Sequence, residues 1–159
     1  MSTIFQTDAE YATARGAQGD QMRALRLLDA DLQVIERAES FLQEAEQLMV
    51  EQPREAFELI HRAALRVAGV LVTRANRERK RPLPLNVWAA LRRLGRRPAA
   101  RAEDVAVMVA ERELLDRDPS RVPTAELLRV HLENTRAHTQ EVREEVLDVL
   151  PGRIAALAS

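Results

Sequence analysis

Residues 53–82 read PREAFELIHRAALRVAGVLVTRANRERKRP. Phe57, Ile60, Ala64, Val67, Ala68, Leu71 and Ala75 recur at the three- and four-residue spacing of one helical face. Leu65, Val70 and Val72 widen that face, so this segment predicts the central, most buried helix of an all-α protein. Pro53 suits its first turn, where the missing N–H has no intrahelical partner to lose. Pro82 ends it, because the residue before a proline is pushed out of the helical region. The last turns run straight into charge. Residues 74–101 hold ten basic side chains (Arg74, Arg77, Arg79, Lys80, Arg81, Arg92, Arg93, Arg96, Arg97, Arg101) against one acid, Glu78, a local charge of +9. The formal charge of the chain is −1, so the remaining residues carry −10.

Outward from this helix the pattern stays helical. On its N-terminal side, Leu28, Ile35, Leu42 and Met49 repeat every seven residues, with Leu25 and Leu32 a turn away. They predict an amphipathic helix from an N-cap at Asp20 to about residue 51. The far face of that helix is acidic, with Glu36, Glu39, Glu44, Glu46 and Glu51. On the C-terminal side, Asn86 caps a short helix, Val87–Leu94, that Gly95 stops. Arg96–Arg101 reads as a basic loop. A helix over about 103–116 follows, with Glu103 and Asp104 at its positive end. The DRDPSRVP stretch breaks the chain before a last long helix from Thr124 to about Leu150. The expectation is a single bundle of about five helices over residues 20–150, a flexible N-terminal tail over 1–19 and a C-terminal tail over 151–159.

The composition narrows the chemistry. The chain has 159 residues and no cysteine, which removes disulfides, thiolate zinc sites and thiol nucleophiles and fits a reducing compartment. The first twenty residues lack an apolar core, so no signal peptide is read there. The apolar run 67–72 is far short of a membrane span. A cytoplasmic protein without membrane contact is therefore expected. No P-loop, dinucleotide-binding, nucleophile-elbow or zincin pattern occurs, and no cofactor is implied.

Three constellations could carry function. Arg54 and His61 are seven residues apart, two turns along one face, and His61 falls inside the apolar stripe. A cation that holds phosphate beside an imidazole that moves a proton suits phosphoryl chemistry, whereas a core histidine would need a buried partner. His131, Asn134 and His138 share one flank of the last helix. Histidines seven apart are too distant to chelate one metal, so that flank reads as a polar seam at an interface and no metal is expected. The third constellation is the basic segment itself. Arg74, Arg77, Arg79, Lys80, Arg81, Arg92, Arg93, Arg96 and Arg97 bracket the only tryptophan, Trp88. Arginine beside an aromatic suits RNA or nucleotide phosphates with a stacked base. The same cations also suit an acidic protein surface, such as the acidic first helix of a second copy.

The order ERAESFLQEAEQL, REAFELIHRAALRVAGVLVTRA, RKRPLPLNVWAALRRLG resembles the small actinobacterial branch of the HEPN superfamily. The matching pieces are His61 through Arg66, the 74–84 loop and Val87 through Leu91, within a resemblance that spans roughly residues 24–149. It implies a four- or five-helix bundle, often dimeric, with links to RNA or nucleotide binding. Many members are metal-independent endoribonucleases with an arginine, four to six residues, and then a histidine, a spacing that Arg54 and His61 meet. The resulting expectation is a HEPN-like binding domain acting through the arginine-rich segment. The alternatives are an endoribonuclease built on Arg54 and His61 in a homodimer cleft, and a purely structural assembly module. The small residues Ala63, Ala64, Ala68 and Gly69 would let a partner helix approach closely in such a dimer.

Overall fold

Pro53 does open a helix, and the helix it opens is the axis of the molecule. The computed structural model describes residues 2–148, with side chains from Asp8 onward. Five helices follow one another, α1 (Ser2–Leu48), α2 (Pro53–Arg77), α3 (Val87–Leu94), α4 (Arg96–Arg117) and α5 (Ala125–Leu147), and no strand occurs among the described residues. The expected all-α bundle of about five helices is therefore observed. No described helix is long and apolar enough to cross a membrane.

The α2 stripe is the core. Phe57, Ile60, Ala64, Val67 and Ala68 are completely buried, and Ile35 and Leu42 of α1 and Leu128 and Val142 of α5 close over them. The second half of α1 runs along α2, α5 lies against both, and the α3–α4 pair covers the remaining side. Ion pairs bolt α5 to the acidic face of α1, through Arg143 with Glu39 and Arg136 with Glu46. That face is therefore partly occupied within the chain.

Caps set several boundaries as expected. The Asn86 side chain accepts from the Ala89 N–H at 3.0 Å at the start of α3, and Thr124 accepts from Leu127 at 3.1 Å at the start of α5. Other boundaries differ from the sequence reading. Residues 2–19 are helical, not a tail, and Asp20 is an interior helical residue, not a cap. Ala, Glu, Gln and Arg favour helix there, and extending an existing helix avoids the cost of nucleation, which outweighs Gly16 and Gly19 at about 1 kcal/mol each. Residues 8–20 are all exposed, so this part of α1 projects as an arm beyond the bundle. Arg96–Arg101, expected as a loop, forms the first turns of α4. Gly95 (φ 70°) and Arg96 (φ 50°) turn the chain so sharply that α3 passes into α4 without a linker. Pro98 is tolerated because first-turn N–H groups lack intrahelical acceptors. At the other end α5 is described as far as Leu147, and both the expected end near Leu150 and the 151–159 tail lie outside the described residues.

Candidate functional site

The basic segment falls on three elements. Arg74 and Arg77 end α2, Arg79, Lys80 and Arg81 are exposed on the loop that follows, Arg92 and Arg93 end α3, and Arg96 and Arg97 begin α4. Leu71 shares a cleft of about 590 Å³ with Arg96 and Arg97, so the end of α2 and the start of α4 lie together. Carboxylates neutralise part of this charge. Arg77 grips the buried Asp31 with two bonds of 2.8 and 3.0 Å, Arg92 lies 3.5 Å from Glu103, and Arg97 lies 3.5 Å from Glu141. Among the described residues, Arg74, Arg79, Lys80, Arg81, Arg93 and Arg96 have no carboxylate within 4 Å.

Trp88 departs from its expected role. It is 5 % exposed and packs 6.4 Å from the His61 ring, centroid to centroid, so no face is offered to a base. The α3 helix is amphipathic, and its only large aromatic falls on the inward side.

Arg54 and His61 do not open on a common cleft. Arg54 reaches back to the C-terminal end of α4 and donates to the carbonyls of Leu115, Asp118 and Arg121 at 2.9, 3.1 and 2.6 Å. It closes a helix end whose carbonyls lack intrahelical partners. His61 is 3 % exposed, stacked on Phe57 at 5.8 Å with an interplanar angle of 10°. The expected catalytic pair is thus a helix cap and a core histidine within one chain.

His61 is part of something larger that the spacing did not reveal. His131 lies 5.6 Å from it and 5.2 Å from Phe57, and His138 follows two turns along α5. All three histidines of the chain are therefore buried, together with Thr135, Thr139 and Arg101. Arg101 donates to the Thr135 hydroxyl at 3.3 Å, and that hydroxyl lies 3.5 Å from His131 Nδ1. Among the described residues four buried side-chain nitrogens have no partner: His61 Nδ1, His131 Nε2, His138 Nδ1 and Arg101 Nε. Burial holds His61 down to about 4, assisted by Arg112 and opposed by Glu58. His131 falls to about 3 through burial, then His61 and Arg101, and His138 falls to about 4 through burial and Arg101. At neutral pH the cluster holds neutral imidazoles around one buried guanidinium. The polar flank of α5 expected at an interface is instead turned inward at His131 and His138, and only Asn134 is exposed. Ala63, Ala64 and Ala68 are likewise fully enclosed by their own bundle, so they offer no seat to a partner helix. No group of three or more His, Asp or Glu is placed to hold a metal ion among the described residues.

A second convergence of cations escaped the sequence reading. Arg37 of α1 and Arg62 and Arg66 of α2 surround the Phe41 ring at 5.4, 5.6 and 5.4 Å. The i, i+4 spacing of Arg62 and Arg66 was the available signal; the contribution of α1 required the helix pairing. Comparison with known proteins returns no match to a family model, a curated protein or a solved structure.

Proposed function

We propose that this protein is a non-catalytic, HEPN-like helical module that binds RNA through its phosphates. The observation that carries this reading is the set of cations left without a carboxylate within 4 Å on the end of α2, the loop after it and the α3–α4 corner, Arg74, Arg79, Lys80, Arg81, Arg93 and Arg96. With Trp88 buried and aromatic residues at 3 % of the chain, little stacking is on offer. Binding of this kind is sequence-independent and weakens steeply with salt, because each neutralised phosphate releases condensed counterions. The enclosed His61 and the engaged Arg54 favour binding over cleavage.

Fluorescence anisotropy of a labelled single-stranded RNA at about 50 and about 200 mM salt tests this reading. A steep loss of affinity between the two, and loss of binding in the R79E/K80E/R81E variant, are expected. Absence of binding at the lower salt refutes RNA as the ligand and leaves an acidic protein as the partner of these cations. RNA cleavage that disappears in His61→Ala would overturn the non-catalytic assignment.

A further inference from the structure

The described chain buries three charged side chains, Asp31, Glu111 and Arg101, each 5–7 % exposed. Two are held in bidentate forks. Arg77 grips Asp31, and Arg121 grips Glu111 at 2.8 and 2.9 Å. Arg101 is the exception. Its one hydrogen bond goes to a neutral threonine hydroxyl at 3.3 Å, its Nε has no partner, and no carboxylate comes within 4 Å. Asp104 and Glu141 act on it only from beyond that distance, and a buried charge without a hydrogen-bonded counter-charge is costly.

Arg101 lines a cleft of about 290 Å³ between the start of α4 and the flank of α5, with Arg97, Asn134, His138, Asp104 and Glu141. The cleft adjoins a helix N-terminus that lacks the usual compensation. Gly95 gives no side-chain cap, and the first turn of α4 has no acidic residue, because Glu103 and Asp104 lie two turns further on. The positive end of the helix dipole, Arg97 and the buried Arg101 therefore add at one place.

We infer that this cleft is a binding site for a small oxyanion, a carboxylate or phosphate group held between Arg101 and Arg97. Asn134 supplies a neutral amide beside it. Asp104 and Glu141 line the same cleft and disfavour a dianion, so the favoured form is singly charged, a carboxylate or a protonated phosphate. The anion also competes with Glu141 for Arg97, which now hold each other at the long distance of 3.5 Å. The inference is independent of the RNA reading, since the loop residues Arg79, Lys80 and Arg81 take no part in the cleft.

Thermal unfolding of the full chain in inorganic phosphate and in acetate, each matched in ionic strength with sodium chloride, tests the site. A saturable rise in Tm with phosphate, acetate or both, absent with chloride, is expected, and the anion that responds identifies the head group. In Arg101→Met the response should be lost, and in R79E/K80E/R81E it should be kept. Equal effects of all three salts, or a response that survives in Arg101→Met, would overturn the site. Should Arg101→Met fail to fold, the Arg101 Nε–H signal in the NMR spectrum of the wild-type protein decides. A saturable shift on phosphate or acetate addition supports the site, and an unmoved signal refutes it.

Discussion

The two ends of α4 lie about 33 Å apart and are finished in opposite ways. At the C-terminal end side chains answer several of the demands. Arg54 accounts for three carbonyls, Arg121 neutralises the buried Glu111, and Asp118 accepts from the Ser120 N–H and hydroxyl. At the N-terminal end the cap side chain is missing, two residues have positive φ, and a buried guanidinium has no carboxylate within 4 Å. Stability alone would favour the first arrangement at both ends. The contrast teaches that the charged residues of this chain divide into those that close the fold and those left without a hydrogen-bonded counter-charge, and that local charge density does not tell them apart.

The largest expected effect comes from acid. Each of the three buried histidines has its folded pKa pulled below the ordinary value of 6.5. The unfolded chain therefore takes up protons below about pH 6.5 that the folded chain refuses until about pH 4 for His61 and His138 and about 3 for His131. Stability is full above pH 6.5 and falls as pH drops through that window. Each pKa unit corresponds to about 1.4 kcal/mol, so the total loss is on the order of several kcal/mol. Urea denaturation between about pH 6.5 and 5, above most carboxylate titrations, isolates the histidines. A flat stability there would show that the cluster hydrates and protonates without unfolding.

Next in size is the closed end. Arg54→Ala strips three carbonyls of a charged donor and should cost about 2–3 kcal/mol. Arg54→Lys should recover only part, because one ammonium cannot reproduce the planar fork. A cost in Arg54→Ala within about 0.5 kcal/mol, the range of an ordinary surface substitution, would place Arg54 outside the load of the fold. RNA affinity should stay unchanged in Arg54→Ala at temperatures where it is folded.

The sequence carried the architecture well and the site poorly, for different physical reasons. Helix faces are local: the stripe from Phe57 to Leu71 and the Asn86 and Thr124 caps were legible from spacing and side-chain chemistry alone. The helix over 2–19 is not legible, because its exposed turns from Asp8 to Gly19 show no apolar period. The start of α4 reads as a loop because a glycine with Pro98 three residues on signals a break, yet the helix begins directly after Gly95. The arginines differ in kind. Whether Arg77, Arg101 or Arg79 is bolted, buried or exposed depends on what α1 and α5 bring opposite it, and residues 46 or 34 positions away set no local pattern. Trp88 misled for the same reason, since an aromatic among arginines looks like a stacking platform until α2 is packed against it.

The smallest expected effect tests the open end directly. Gly95 has φ 70° and ψ −173°, a conformation that is nearly glycine-only because a Cβ crowds its own backbone. A Cβ built at this position meets no atom within 4 Å, so Gly95→Ala should act through backbone strain without any packing clash. The expected cost is about 1–2 kcal/mol, smaller than that of Arg54→Ala. It should appear as a lower urea midpoint with an unchanged m-value. The variant also reports on the cleft, since relaxing Gly95 would rotate the first turn of α4 and carry Arg97 with it. Any phosphate response should therefore weaken in Gly95→Ala while Arg101 is intact. A stability equal to wild type would mean that the α3–α4 corner can be made with an ordinary backbone, and the left-handed pair at Gly95 and Arg96 would then not be what sets the open end of α4.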